Sequence, residues 1–537
     1  MKRNSIKTLV ITAILSTGLM SCEKNTILAP NYEVTSQQVY STPLGYTEAM
    51  AKVYGAFALT GNQGPAGSGD IAGIDEGTSD FFRLYWYAQE LPTDEAVIAW
   101  GDPGVPDLHQ MNWSSSNVIL TGLYERCLYQ ITLANDFIRQ SSDANLSARG
   151  ISGADATKIR YYQAEARFLR AYQYSVLMDL FAQPPFITDA NAVGSIIPPQ
   201  TTRAALFSYV ESELKAIDPL MVAPQQNQYG RADQAAVWAL LARIYLNAQV
   251  YTGTARYTDA ITYASKVIGA GYTLIPKYDN LFLADNNLNT SENIFSIEYD
   301  GNNIQGYGGT TFMTHAPVGG SMPSSSFGIS GGWAGVRTTS SLVNLFPANT
   351  NTTFPENGNP DYRAEFYTVG QNLTINDVTS FTDGYAVNKW RNVTSTGAQG
   401  QSNSFSDVDE PLFRLPEMYL IYAEAVLRGG SGGTAAQALI YINNIRTRAY
   451  NGSLAGNITA GQLTTQFILD ERARELYWEG FRRTDLIRYG LFTSSSYLWP
   501  FKGGVKAGAG VPDFRNLFPI PDADRSVNPN LAQNPGY

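Results

Sequence analysis

Trp238-Ala239-Leu240-Leu241-Ala242-Arg243-Ile244-Tyr245 is the stretch that decides the fold. Trp238, Leu241, Ala242 and Tyr245 stand three and four residues apart, so an α-helix carries them on one face. Ala242 is small enough for a second helix to approach closely. Ala260, Ala264 and Ile268 then repeat the same spacing after an intervening loop. The two segments read as a pair of helices packed through small residues.

The same texture recurs on both sides. Upstream, Ile159, Tyr162, Ala166, Leu169, Tyr172 and Leu180 follow the helical period from Ala156 to Phe181, and Leu206, Val210, Leu214 and Ile217 form a further stripe. Downstream, Tyr419-x-x-Tyr422-Ala423 begins another pair that Ala438 to Ile445 completes. Trp-x-x-Leu-Ala-x-x-Tyr matches the first helix of a tetratricopeptide repeat, with alanine where glycine is usual. One helix pair cannot cover its own open face, so stacked pairs are expected. Leu469, Ala473, Leu476 and Gly480 place one more helix, on which Asp470–Arg474 and Glu479–Arg483 read as four-residue pairs on a solvated face. The predicted fold is mostly α, a tetratricopeptide-like helical scaffold (an α-α superhelix) with an irregular loop-rich lobe containing a few short strands.

That lobe is visible in composition. Residues 301–335 hold ten glycines with serines and prolines, and residues 347–410 are rich in Asn, Thr and Gly. Residues 61–115 are turn-rich, with Trp86, Trp100 and Trp113 among polar residues. Long loops in a compact protein usually carry function. The scaffold is assigned to about 38–60, 117–285 and 411–490, and the lobe to about 61–116, 286–410 and 491–537, together a single domain over 38–537.

Ordered motifs across nearly the whole chain carry a family resemblance. They are Gln163-Ala164-Glu165-Ala166-Arg167-Phe168-Leu169-Arg170-Ala171-Tyr172, Gly230-Arg231-Ala232, Pro411-Leu412-Phe413-Arg414-Leu415, Gly480-Phe481-Arg482-Arg483-Thr484-Asp485-Leu486 and Phe518-Pro519-Ile520-Pro521. The chain resembles the SusD/RagB family of Bacteroidetes outer-membrane nutrient-binding lipoproteins. Asp75-Glu76-Gly77, Glu90-Leu91-Pro92-Thr93-Asp94-Glu95, Tyr307-Gly308-Gly309 and Phe381-Thr382-Asp383-Gly384 make it most similar to the member that binds starch. The resemblance implies a non-enzymatic surface protein that captures oligosaccharide or polysaccharide and passes it to a SusC-like TonB-dependent transporter. It also implies ligand-binding residues: Asp75, Arg83, Tyr307 and Trp333 match the lining of a shallow cradle. A stacking tryptophan of that cradle corresponds to Ile98 here and an asparagine to Pro103, so Trp100, or Trp86, becomes the substitute platform.

The chemistry of the chain agrees with a glycan. A pyranose presents an apolar face to an aromatic ring and a rim of hydroxyls to Asp, Asn, Gln or Arg. The chain carries 33 tyrosines and eight tryptophans. Two other classes stay open from sequence: a surface glycoside hydrolase using carboxylates such as Asp94-Glu95, and a receptor for a non-sugar nutrient such as peptide.

The remaining features bound the cell biology. Lys2, Arg3 and Lys7, the apolar run Thr8–Met20 and Leu19-Met20-Ser21-Cys22 read as a lipoprotein signal over 1–21 with Cys22 acylated and a tether over 22–37. Cleavage would move the formal net charge from -10 to about −13, which argues against nucleic acid. Cys127 is then the one remaining thiol. His109 and His315 lack metal-ligand spacing, no catalytic residue or cofactor is assigned, and Gly328-Ile329-Ser330-Gly331-Gly332 lacks the strand-turn-helix setting of a nucleophile elbow. Asp285-Asn286-Asn287 with Asn289 offers hard oxygen donors of the kind a structural calcium uses.

Overall fold

The computed structural model describes residues 35–192, 194–348 and 359–537; the expected signal, the lipidation site Cys22 and most of the tether lie outside the described residues. Twelve principal helices carry the architecture: α1 (Pro43–Gly55), α2 (Phe81–Glu90), α3 (Val118–Gln140), α4 (Gly153–Leu180), α5 (Arg203–Ile217), α6 (Gln234–Leu246), α7 (Tyr257–Ile268), α8 (Gly309–His315), α9 (Leu415–Leu427), α10 (Ala435–Ala449), α11 (Thr465–Leu476) and α12 (Arg482–Arg488). Helix α3 packs on α4 and α4 on α5; α6 packs on α7, α7 on α9, and α9 on both α10 and α11. Ala242, Ala260 and Ala264 are fully buried where α6 meets α7, as close packing through small side chains requires. The helical scaffold read from the sequence is therefore present. Side chains set several starts: Thr202, Asp233, Thr434 and Thr464 each accept a hydrogen bond from a first-turn backbone N–H.

Strands are few and short. β1 (Val97–Ile98) pairs antiparallel with β3 (Val336–Arg337), β2 (Asn293–Ile297) with β6 (Glu410–Arg414), and β4 (Phe366–Tyr367) with β5 (Ala386–Val387). One helix was not expected. Residues 81–90 read as part of a turn-rich segment, yet they form α2, and all ten are buried. Asp80 caps it by accepting from the Arg83 N–H at 3.1 Å.

A buried ion network fastens the lobe to the scaffold. Arg363 pairs with Asp361 (2.7 Å), Glu471 (2.9 Å) and Glu475 (3.0 Å). Arg414 of the Pro411–Leu415 motif pairs with Glu292 (3.1 Å), Glu475 (2.5 Å) and Glu479 (2.6 Å), Arg448 reaches Glu292 and Glu475, and Lys389 holds Glu479 at 2.6 Å. This corrects the solvated face read for α11. The helix ends at Leu476, and Glu479 and Arg483 are buried beyond it. Trp478 and Gly480 take positive φ there, at 66° and 82°, and turn the chain toward α12.

Other buried carboxyls are raised. Desolvation pushes Glu95 up to about 8, Asp409 to about 7, and Asp80 and Asp233 to about 6, and lifts Glu90, which stands beside Glu95, well above the usual range. A carboxyl raised in the folded state stabilises the fold fully below its unfolded value of about 4. That contribution is lost as pH rises through the folded value. The melting temperature is therefore expected to fall between pH 5 and pH 8, and Glu90→Gln to flatten the slope. Calorimetric melts across that window would contradict this if the midpoint rose.

Candidate functional site

The β1–β3 ladder creates the site. Its register sets Ile98 opposite Val336, so Trp100 and Trp333, just beyond the paired ends, come together. The Ala99 N–H donates to the Gly335 carbonyl (2.9 Å) and Trp100 Nε1 to the Trp333 carbonyl (3.2 Å). A Cβ on Gly335 would stand 2.4 Å from the Trp100 ring, so only glycine lets the indole lie across that strand. Trp333 stacks one face near His315 (4.9 Å, 32°), which leaves it half-buried.

Tyr307 arrives from a different loop. Gly308 could not carry a Cβ, which would meet Asp80 at 2.0 Å, and Gly309 donates its N–H to Asp80 at 2.9 Å. Asp80 thus ties the start of α2 to the Tyr307 loop, a role the sequence did not reveal. Arg83, one turn along α2, completes the attachment: Nη1 donates to the carbonyls of Gly77 (3.2 Å) and Tyr307 (3.1 Å), and Nε and Nη2 to the Tyr87 hydroxyl (3.2 and 3.1 Å). The guanidinium also lies 4.9 Å from the Phe312 ring and 5.7 Å from Trp100. Four of its five N–H donors therefore serve the protein. Arg83, only 9% exposed, is chiefly a positioning residue, with one N–H left.

The result is an open hollow of about 800 Å³ lined by Asp75, Arg83, Trp100, Asp102, Pro103 and Tyr307, among others. The ring of Trp333 stands 6.2 Å from Trp100 at a 45° tilt and 6.4 Å from Tyr307 at 53°, which makes a row of three non-coplanar aromatics. Tyr307 is 39% exposed. Asp75 is exposed on the rim and accepts the Thr78 hydroxyl at 3.4 Å; no ion pair joins it to Arg83. Of the five residues expected at the site, Asp75, Arg83, Trp100 and Tyr307 line the hollow, while Trp333 lies outside its lining and adjoins it through its ring contacts with Trp100 and Tyr307. Asp102 was missed, although it follows Trp100 by two residues and shares the hollow.

Several expectations are corrected. Trp86 is fully buried against Phe312 and Trp478, so it offers no platform, and Trp113 is likewise core. Ile98, which stands where the resemblance puts a stacking tryptophan, is a core residue of β1 at 1% exposure, and Trp100, the expected substitute, lines the hollow. Asp94 and Glu95 lie inside the protein, where Asp94 binds Arg482 in two 2.7 Å contacts and the Tyr497 hydroxyl at 2.5 Å. Neither can act on a surface substrate. Two of the four candidate calcium donors are engaged within the protein. Asp285 accepts the Ser395 N–H (2.8 Å) and hydroxyl (2.6 Å), while Asn286 bonds the Leu281 and Asp409 backbone. No group of three or more His, Cys, Asp or Glu suited to a metal occurs among the described residues.

The helical frame thus shows solvent an open hollow with aromatic rings and a polar rim. Comparison with known proteins identifies its kind. The model described as the SusD family matches residues 363–537, and one described as starch-binding associating with outer membrane matches 95–246. The "Starch-binding protein SusD" of Bacteroides thetaiotaomicron is 35% identical over 100% of both chains. "SusD-like protein P2" of Formosa agariphila is 25% identical over 73% of this chain and 77% of its own. "Surface glycan-binding protein A from Bacteroides thetaiotaomicron in complex with laminarihexaose" shares the fold with TM-score 0.67 at 20% identity, over 91% of this chain and 98% of the other. The chain belongs to the SusD family, whose members are binding proteins and not enzymes. The family is described as associated with the outer membrane, and no helix among the described residues is long and apolar enough to cross one.

Proposed function

We propose that this protein captures a curved α-linked glucan without cutting it, and that the row Trp100–Trp333–Tyr307 is where the sugar rings lie. The observation that carries the reading is the tilt of 45° and 53° between successive rings beside an open hollow. A flat, ribbon-like glycan can rest on one such ring, whereas a chain that curves can meet all three. In this reading Asp75, Asp102 and the remaining N–H of Arg83 take hydroxyls at the rim. The name of the 35% identical relative supports the same ligand class. The interior position of Asp94 and Glu95 weighs against the hydrolase alternative.

In this reading Cys22 carries the acyl anchor to the outer membrane, the hollow faces the exterior, and captured glycan is delivered to a SusC-like TonB-dependent transporter. The test is affinity electrophoresis through gels containing amylopectin, pullulan, xylan or mixed-linkage β-glucan. Retardation by the α-glucans, with no reducing sugar released, is expected. Released sugar would mean an enzyme, and free migration through every gel would mean a non-sugar ligand such as peptide.

A further inference from the structure

The row of rings continues beyond Tyr307. Phe405 stands with its centroid 5.4 Å from that of Tyr307 and tilted by 49°, a step like the two before it. Its ring is half-buried and belongs to neither hydrophobic core cluster, so packing inside the protein does not account for it. Its backbone is nevertheless fixed. Asn392 Nδ2 donates to the carbonyls of Ser402 (2.6 Å) and Phe405 (3.3 Å), and the Ser406 N–H donates to the Thr311 hydroxyl (3.0 Å). Exposed amides lie beside it. Asn302 Nδ2 donates to Gln401 Oε1 at 3.0 Å and Gln401 Nε2 to Asp407 Oδ1 at 3.0 Å, which leaves the Asn302 amide one further N–H, and a Cβ on Gly301 would stand 2.8 Å from the Phe405 carbonyl.

We propose that Phe405 is a fourth sugar platform, extending the track by one unit past Tyr307 toward the amides of Asn302 and Gln401. The inference rests on the glycan reading above and adds its length. An apolar ring kept partly in water beside hydrogen-bonding amides suits the face and rim of one more pyranose. It predicts that affinity keeps rising with chain length where a three-ring track would level off.

Isothermal titration of maltotriose and maltoheptaose against the native protein, Phe405→Ala, Phe405→Trp and Trp333→Ala tests it. Phe405→Ala should lose about tenfold for maltoheptaose and nothing for maltotriose, and Phe405→Trp should restore the difference. Equal loss for both sugars, or no loss for either, overturns the fourth platform. Trp333→Ala reports separately: if it weakens both sugars while Phe405→Ala weakens neither, only the Phe405 proposal fails. Absence of any binding by the native protein overturns the α-glucan reading beneath it.

Discussion

Trp333→Ala is expected to weaken maltoheptaose binding by about 2 kcal/mol, roughly thirtyfold. Trp333 is the middle ring, 6.2 Å from Trp100 and 6.4 Å from Tyr307, and truncating it leaves the outer rings without continuity. Part of the ring packs on His315 and the core, so the substitution also costs some stability. The carbonyl that receives the Trp100 indole N–H is backbone and survives the substitution, and the ring is half-exposed to begin with. Calorimetric titration should show the loss in protein that still melts cooperatively, and Trp333→Phe should recover most of the affinity. Unaltered affinity would remove Trp333 from the site.

The second large effect falls on stability. Glu475 is fully buried and shared by Arg363, Arg414 and Arg448, and those three guanidinium groups depress its carboxyl to about 2 despite the opposing, largest effect of burial. Glu475→Ala leaves three buried cations short of one partner, for which a cost of about 3–5 kcal/mol is expected. The exposed pair Arg160–Asp143 is the contrast: Asp143→Ala should cost less than about 0.5 kcal/mol. Denaturant midpoints for the two variants check both, and similar shifts would contradict the network's role. Because Arg363 belongs to the lobe and Glu475 to α11, the same substitution should also loosen the lobe that carries the rings.

Why some of this was readable in the chain and some was not follows from the range of the forces involved. Helices such as α4 and α6 announce themselves because a buried face repeats every three to four residues. The two-residue strands β1 and β3 carry no period, yet their register is what sets Trp100 beside Trp333, so that meeting appears only in three dimensions. Trp86 and Trp100 illustrate the difficulty: both stand as substitute rings in the sequence, and only the ladder and helix α2 show that Trp100 lines the hollow while Trp86 is core. Glu479 and Arg483 looked like surface charges because their four-residue spacing is local. Their actual partners, Lys389 and Arg414 for one and Asp179 for the other, come from distant segments. Asp80 gave no signal at all, since its role depends on two N–H groups more than 200 residues apart.

A crystal structure of the protein with maltoheptaose tests non-covalent capture most directly. The account predicts an uncleaved chain curved along the hollow, with sugar faces against Trp100, Trp333 and Tyr307 and hydroxyls at Asp75 or Asp102. A cleaved saccharide, or an intact one bound away from those three rings, would contradict it.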